Sequence, residues 1–186
     1  MKNFLLFIAL VSFSFASAQI TTNAGTFNKP SEGETAFEFQ FMPNLDGNAM
    51  FADQATVMMR RFKSDTKAVR WMADLTASDS GEEGSNTAYE VGLGYGIENH
   101  FAGAERLSTF WGYSGRVSYA DAGVEGVDGA IGVGVGAFVG ADYYIIPKVY
   151  IGIEMGYGLT VASGDDITSW GLSGGVEGMM RVGFRL

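Results

Sequence analysis

The chain has 186 residues, with Lys+Arg 12 against Asp+Glu 21, a formal net charge of −9 and no cysteine. That length fits one domain, the acidic balance argues against nucleic acid, whose binding relies on neutralising phosphates, and the lack of Cys excludes a disulfide framework or a thiolate metal site. Gly 27, Phe 14 and Tyr 8 against Pro 3 suit β-structure, because a Gly in a helix interior costs roughly 1 kcal/mol relative to Ala.

The N-terminus has the order of an export signal. Lys2 gives a positive start, Phe4 to Val11 is a short apolar run, and Ala16-Ser17-Ala18 is a small-residue cleavage site. Cleavage between Ala18 and Gln19 leaves 168 residues with a net charge of −10. Residues 19–33 are polar and are expected to form a periplasmic leader. Beyond the signal, no apolar run reaches the about 20 residues that a membrane-spanning helix needs. That leaves open a closed barrel, which spans by pairing every backbone group between strands.

From residue 34 to 186 the sequence predicts eight strands. In the first, Glu34 to Met42, Phe37, Phe39 and Phe41 alternate with Glu38 and Gln40. The second, Gln54 to Phe62, has no clear parity, since Val57 and Met59 compete with Met58 and Phe62. In the third, Lys67 to Leu75, Val69, Trp71, Ala73 and Leu75 oppose Ala68, Arg70, Met72 and Asp74. In the fourth, Thr87 to Glu98, Tyr89, Val91, Leu93, Tyr95 and Ile97 oppose Glu90, three glycines and Glu98. The fifth, Ser108 to Ala120, sets Trp111, Tyr113, Val117 and Tyr119 against Ser114, Arg116 and Ser118. The sixth, Gly129 to Ile145, sets Ile131, Val133, Val135, Val139 and Tyr143 against glycines and Asp142. The seventh, Val149 to Val161, sets Ile151, Ile153, Tyr157 and Leu159 against Tyr150, Gly152, Glu154 and Gly156. The eighth, Ser169 to Leu186, sets Leu172, Met180, Val182 and Phe184 against Glu177, Arg181 and Arg185.

Period-2 alternation gives each strand one greasy and one polar or small face. In a water-soluble barrel the apolar face points inward; in an outer-membrane barrel it points to lipid. The polar face here is dense in Gly, poor material for a strand surface facing water. Small residues and ion pairs do fit the narrow lumen of eight strands. Tyr89, Trp111, Tyr119, Tyr143 and Trp170 lie near strand ends on the apolar face, as aromatic girdles do. Together these features favour an all-β, eight-stranded antiparallel up-and-down transmembrane barrel.

The connections alternate in kind. Lys63-Ser64-Asp65-Thr66 and Ile146-Pro147-Lys148 are short and 99–107 is somewhat longer, whereas 43–53, 76–86, 121–128 and 162–168 are polar and acidic. Short turns belong on the periplasmic side and longer loops outside, which puts both chain ends in the periplasm.

Arg61-Phe62, Ala68-Val69-Arg70, the run from Gly94 to Phe101, Arg106-Leu107-Ser108, Asp142 to Ile145 and Tyr150 to Glu154 together resemble the small eight-stranded outer-membrane barrels of Bacteroidetes-type bacteria, akin to the OmpX and OmpA barrels. The resemblance covers nearly the whole chain after the signal and carries no catalytic signature. It implies residence in the outer membrane among lipid and lipopolysaccharide, insertion by the barrel-assembly machinery, and a monomer. Barrels of this kind usually end on an aromatic residue; this chain ends Phe184-Arg185-Leu186.

No catalytic, cofactor or metal set emerges. His100 is the only histidine and is expected as a solvated turn residue. Asp79-Ser80-Gly81-Glu82-Glu83 offers oxygen ligands but lacks EF-hand spacing, so a solvated acidic loop is expected. The inner-face charges Glu38, Arg70, Glu90, Arg116, Glu154, Glu177 and Arg181 are expected to pair as a structural network, since unpaired buried charge is costly. The role that follows is structural or surface-interacting, the alternative being a narrow channel or transporter for small solutes.

Overall fold

The computed structural model describes residues 29–41, 55–79, 87–101, 103–124, 126–164 and 167–186, the side chains of 41, 55, 167 and 173–179 excepted. The export signal with its Ala18/Gln19 junction lies outside these residues, as do 43–53 and 80–86 of the acidic connections; the expected connection 162–168 is corrected, since 162–164 belong to the seventh strand and 167–168 to the eighth. Eight strands follow one another: β1 (Thr35–Phe41), β2 (Ala55–Ser64), β3 (Lys67–Ser78), β4 (Ala88–His100), β5 (Leu107–Asp121), β6 (Ala130–Ile146), β7 (Val149–Gly164) and β8 (Ile167–Arg185). Each pairs antiparallel with the next, and β8 closes on β1 to make an up-and-down barrel.

The walls are inside out relative to a water-soluble barrel. On β4, Leu93 is 61% exposed on the outer face while Glu98 is fully buried on the inner one, and the same contrast separates Ile131 (62%) from Asp142 (0%) on β6. The register fixes the parity of β2 that its sequence leaves open. Arg60 pairs with Arg70 and Phe62 with Ala68, so Met58, Arg60 and Phe62 point inward and Val57 points out. Tyr89, Trp111, Tyr119, Tyr143 and Trp170 are all exposed on the outer face. Trp71 is exposed there as far along its strand as Trp111, and Tyr95, Tyr113 and Tyr157 are exposed further from the strand ends, so aromatic residues line much of the wall's height.

The end that holds the C-terminus is tightly tied. β2 and β3 turn at Asp65-Thr66, and β6 and β7 at Pro147-Lys148, each next to a register shift that absorbs one residue. Leu186 N donates to Thr35 O (2.9 Å) and Arg185 N to Lys148 O (2.8 Å). The leader is not loose over its last residues. Ser31 to Glu34 form a turn, Gly33 N donates to Phe62 O at 2.9 Å, and Pro30 is buried.

Candidate functional site: the charged lumen

Alternation sends a polar side chain from nearly every strand into the same section of lumen, near the short-turn end. Arg60 of β2 sits 3.0 Å from Glu38 of β1, 3.0 Å from Glu98 of β4 and 2.6 Å from Asp142 of β6. Arg70 of β3 grips Glu154 of β7 through two bonds of 2.7 and 3.0 Å and reaches Glu98 at 3.3 Å. Arg181 of β8 meets Asp142 at 2.7 Å, Glu38 at 3.2 Å and Glu154 at 3.3 Å. Three guanidiniums thus face four carboxylates, all buried. Further donors reach the acids: the Tyr150 hydroxyl donates to Glu38 at 2.7 Å, and His100 Nε2 lies 3.2 Å from Glu98.

Aromatic rings close the layer. The Arg70 guanidinium lies 3.5 Å from the centre of the Phe138 ring, and those of Arg181 and Arg60 lie 4.7 and 5.1 Å from that of Phe110 on β5. Desolvated cation–π contacts of this kind are worth about 2 kcal/mol. The inner glycines are the sockets for these groups. A Cβ on Gly152 would sit 2.5 Å from Asp142 and 3.1 Å from Arg181, and one on Gly183 would run into Tyr150. They leave space that a large side chain from a neighbouring strand fills.

His100 corrects the sequence expectation. It is the last residue of β4 rather than a solvated turn residue, is only 9% exposed, and packs between the tilted rings of Phe62 and Phe110. Its Nδ1 is 3.0 Å from Ser108 Oγ. Both residues border a cavity of about 360 Å³ at the short-turn end, beside Lys29, Ser31 and Thr66.

Toward the other end the lumen changes. Arg116 bonds Asp74 at 3.1 and 2.5 Å and Glu90 at 2.8 Å, with side-chain exposures of 35%, 14% and 32%. Around it Gly134, Gly136, Gly158, Ser114 and Thr160 line a cavity of about 160 Å³. The seven inner-face charges singled out in the sequence therefore fall into separate places. Glu38, Arg70, Glu154 and Arg181 share the deep layer, Glu90 and Arg116 form the upper cluster, and the Glu177 side chain lies outside the described residues. Arg60, Glu98, Asp142 and Asp74 complete the two clusters without having been singled out. Glu98, Asp142 and Asp74 already sit on the polar side of the alternation, and Arg60 follows once β2 is registered on β3.

No family model matches the sequence, and no curated protein matches it. Among solved structures the chain is similar to the N-terminal β-barrel domain of Pseudomonas aeruginosa OprF, with TM-score 0.52 and 13% identity over 84% of this chain and 100% of that one. It is also similar to the outer membrane protein OprG of the same organism, with TM-score 0.52 and 11% identity over 86% and 99% of the two chains. At such identities the likeness is one of fold, and the chain has the eight-stranded barrel fold of small outer-membrane proteins.

Proposed function

We propose that this chain is an outer-membrane barrel with a structural, envelope-integrity or surface-interaction role, its lumen filled by its own side chains. The observation that carries the reading is the layer of Arg60, Arg70 and Arg181 against Glu38, Glu98, Asp142 and Glu154, which draws on seven of the eight strands and is buried throughout. Eight strands leave room only for side chains, and ion pairs fill it here. The outward apolar run from Tyr89 to Ile97 on β4, exposed as far as Tyr95, matches the about 9–11 residues of a tilted membrane-crossing strand. The export signal ending at Ala18 supplies the route to the envelope. On this reading the barrel is a monomer of the Bacteroidetes-type group, inserted by the assembly machinery with Phe184 as the outward aromatic signal, and its acidic loops meet lipopolysaccharide through divalent ions.

The test is outer-membrane fractionation with a heat-modifiability gel, followed by planar-bilayer recording. The expected result is membrane recovery, a heat-dependent shift and no ion-selective steps. Regular conductance steps would favour the channel alternative, and soluble recovery without a shift would overturn the membrane assignment.

A hydrolase reading draws on the order Ser108, His100, Glu98, which is that of a nucleophile, base and orienting acid. Against it, Glu98 is already committed to Arg60 and Arg70, and Ser108 is only 5% exposed. A fluorophosphonate probe should leave Ser108 of the folded barrel unlabelled; a covalent adduct there, lost in Ser108→Ala, would restore the hydrolase reading.

A further inference from the structure

The lysines of this acidic chain gather at one end. After Lys2 they are Lys29, Lys63, Lys67 and Lys148, and all four stand at the short-turn end, in the leader and around the β2–β3 and β6–β7 turns. The edge of the β2–β3 hairpin holds three basic residues. Arg61 pairs with Thr35 on one side and Val69 on the other, and Lys67 pairs with Asn99. Both therefore face outward, opposite in parity to the buried Phe62 and Ala68. Lys63 is the residue taken up by the register shift between Phe62 and Ser64, an irregularity of the kind that re-aims a side chain. All three are exposed, and none has an ion-pair partner among the described residues. The acids at this corner stand apart from them, Asp65 at the turn tip and Glu32 in the leader turn. The other short connections lack such a grouping: the β6–β7 turn has Lys148 alone, and 99–107 sets Glu105 beside Arg106.

We infer that this hairpin edge binds the headgroup of an anionic phospholipid in the inner leaflet of the outer membrane. The inference rests on the membrane assignment above, and the placement of charge selects the ligand. An anionic polymer beneath the barrel would meet the turn tip, where Asp65 repels it. An anion beside the wall meets Arg61 and Lys67 instead. Directly above them on the same two strands the outward residues turn apolar, with Val57 46% and Trp71 39% exposed. A molecule with a negative head and an apolar body matches that order. Arg61 offers a planar fork that takes phosphate oxygens in pairs, and the lysines add point charges. Val69 faces outward between Arg61 and Ile97 yet is only 9% exposed, so side chains already lie over the wall here, and a long cationic stem has apolar surface to run along. Basic residues next to a membrane-crossing segment draw anionic headgroups, less strongly as salt rises.

Trp71, two residues beyond the Val69 that pairs with Arg61, is the reporter. A form that keeps only this tryptophan (Trp111→Phe, Trp170→Phe) is folded into bilayers of phosphatidylcholine and phosphatidylglycerol, with mid-chain bromine carried by one lipid or the other. Half-quenching is expected at a several-fold lower fraction of brominated phosphatidylglycerol than of brominated phosphatidylcholine, the gap narrowing in high salt. Arg61→Gln together with Lys67→Gln should bring the two curves together, whereas Lys148→Gln, at another turn of the same rim, should leave them apart. Arg61→Gln alone serves if the double form loses its heat-dependent shift. Coincident curves in the parent overturn the site, as does a preference that survives the double substitution or is lost equally in Lys148→Gln. Co-sedimentation with purified peptidoglycan that the double substitution abolishes, without a lipid preference, would give the cations to the wall polymer and overturn the lipid. If a folded barrel shows quenching by neither lipid, the membrane assignment falls and the site with it.

Discussion

The two halves of the lumen are built from the same alternation and do different things with it. In the lower half, glycines such as Gly152 and Gly183 face arginine, aspartate and tyrosine side chains that fill the space they leave, and the charges are buried. In the upper half, Gly134, Gly136 and Gly158 border a cavity, and the ion pairs of Arg116 remain partly exposed. A Gly-rich inner face is therefore not one structural statement. What decides between a packed and an open section is whether the neighbouring strands supply large side chains at the same level.

The sharpest way to break the contrast is Arg60→Ala. It leaves Glu38, Glu98 and Asp142 short of a partner in a buried layer, which costs about 3–5 kcal/mol when one member of such a set is lost. The folded band on a heat-modifiability gel should collapse at a clearly lower temperature. Next comes a paired glycine substitution. Gly152→Ala overpacks the deep layer and should cost about 1–3 kcal/mol in urea unfolding followed by tryptophan emission. Gly134→Ala meets Thr160 at 3.2 Å and little else, so it should cost less, near zero once the better strand propensity of Ala is counted. Equal losses would erase the distinction between the halves. A similarly small effect is expected from Arg116→Ala: its pairs are part-exposed, where ion pairs are worth about 0–1 kcal/mol and are screened by salt. The difference from the parent barrel should shrink further in high salt.

The sequence made the wall legible because outward-facing and lumen-facing residues alternate without exception over long stretches such as Tyr89 to Glu98 and Val149 to Leu159. β2 was illegible on its own. Met58-Met59 and Arg60-Arg61 place the same residue type on both faces, and only pairing with β3 decides which arginine is inside. The partners inside the lumen were beyond local pattern as well. Arg60 and Asp142 are 82 residues apart, and Tyr150 and Glu38 are 112 apart, distances over which alternation fixes the face of each residue but not its height or neighbour. His100 was misplaced for a different reason. Asn99-His100-Phe101 leads into Ala-Gly, and whether a strand stops before or after such a histidine depends on the ring having Phe62, Phe110 and Ser108 to pack against.

One pairing reaches further than packing. Glu38 belongs to the first strand and Arg181 to the last, and they meet only where β1 and β8 join, along Ala36 to Phe41 and Met180 to Arg185. Hairpins between sequence neighbours close small loops, whereas this seam closes nearly the whole chain, the slowest kind of contact to form. A sheet that has not yet closed lacks the Glu38–Arg181 pair and leaves the charge layer incomplete beside an open edge. The ion pairs thus couple the layer to circularity. They reward the finished ring and leave a half-assembled one carrying uncompensated charge until the ends have found each other.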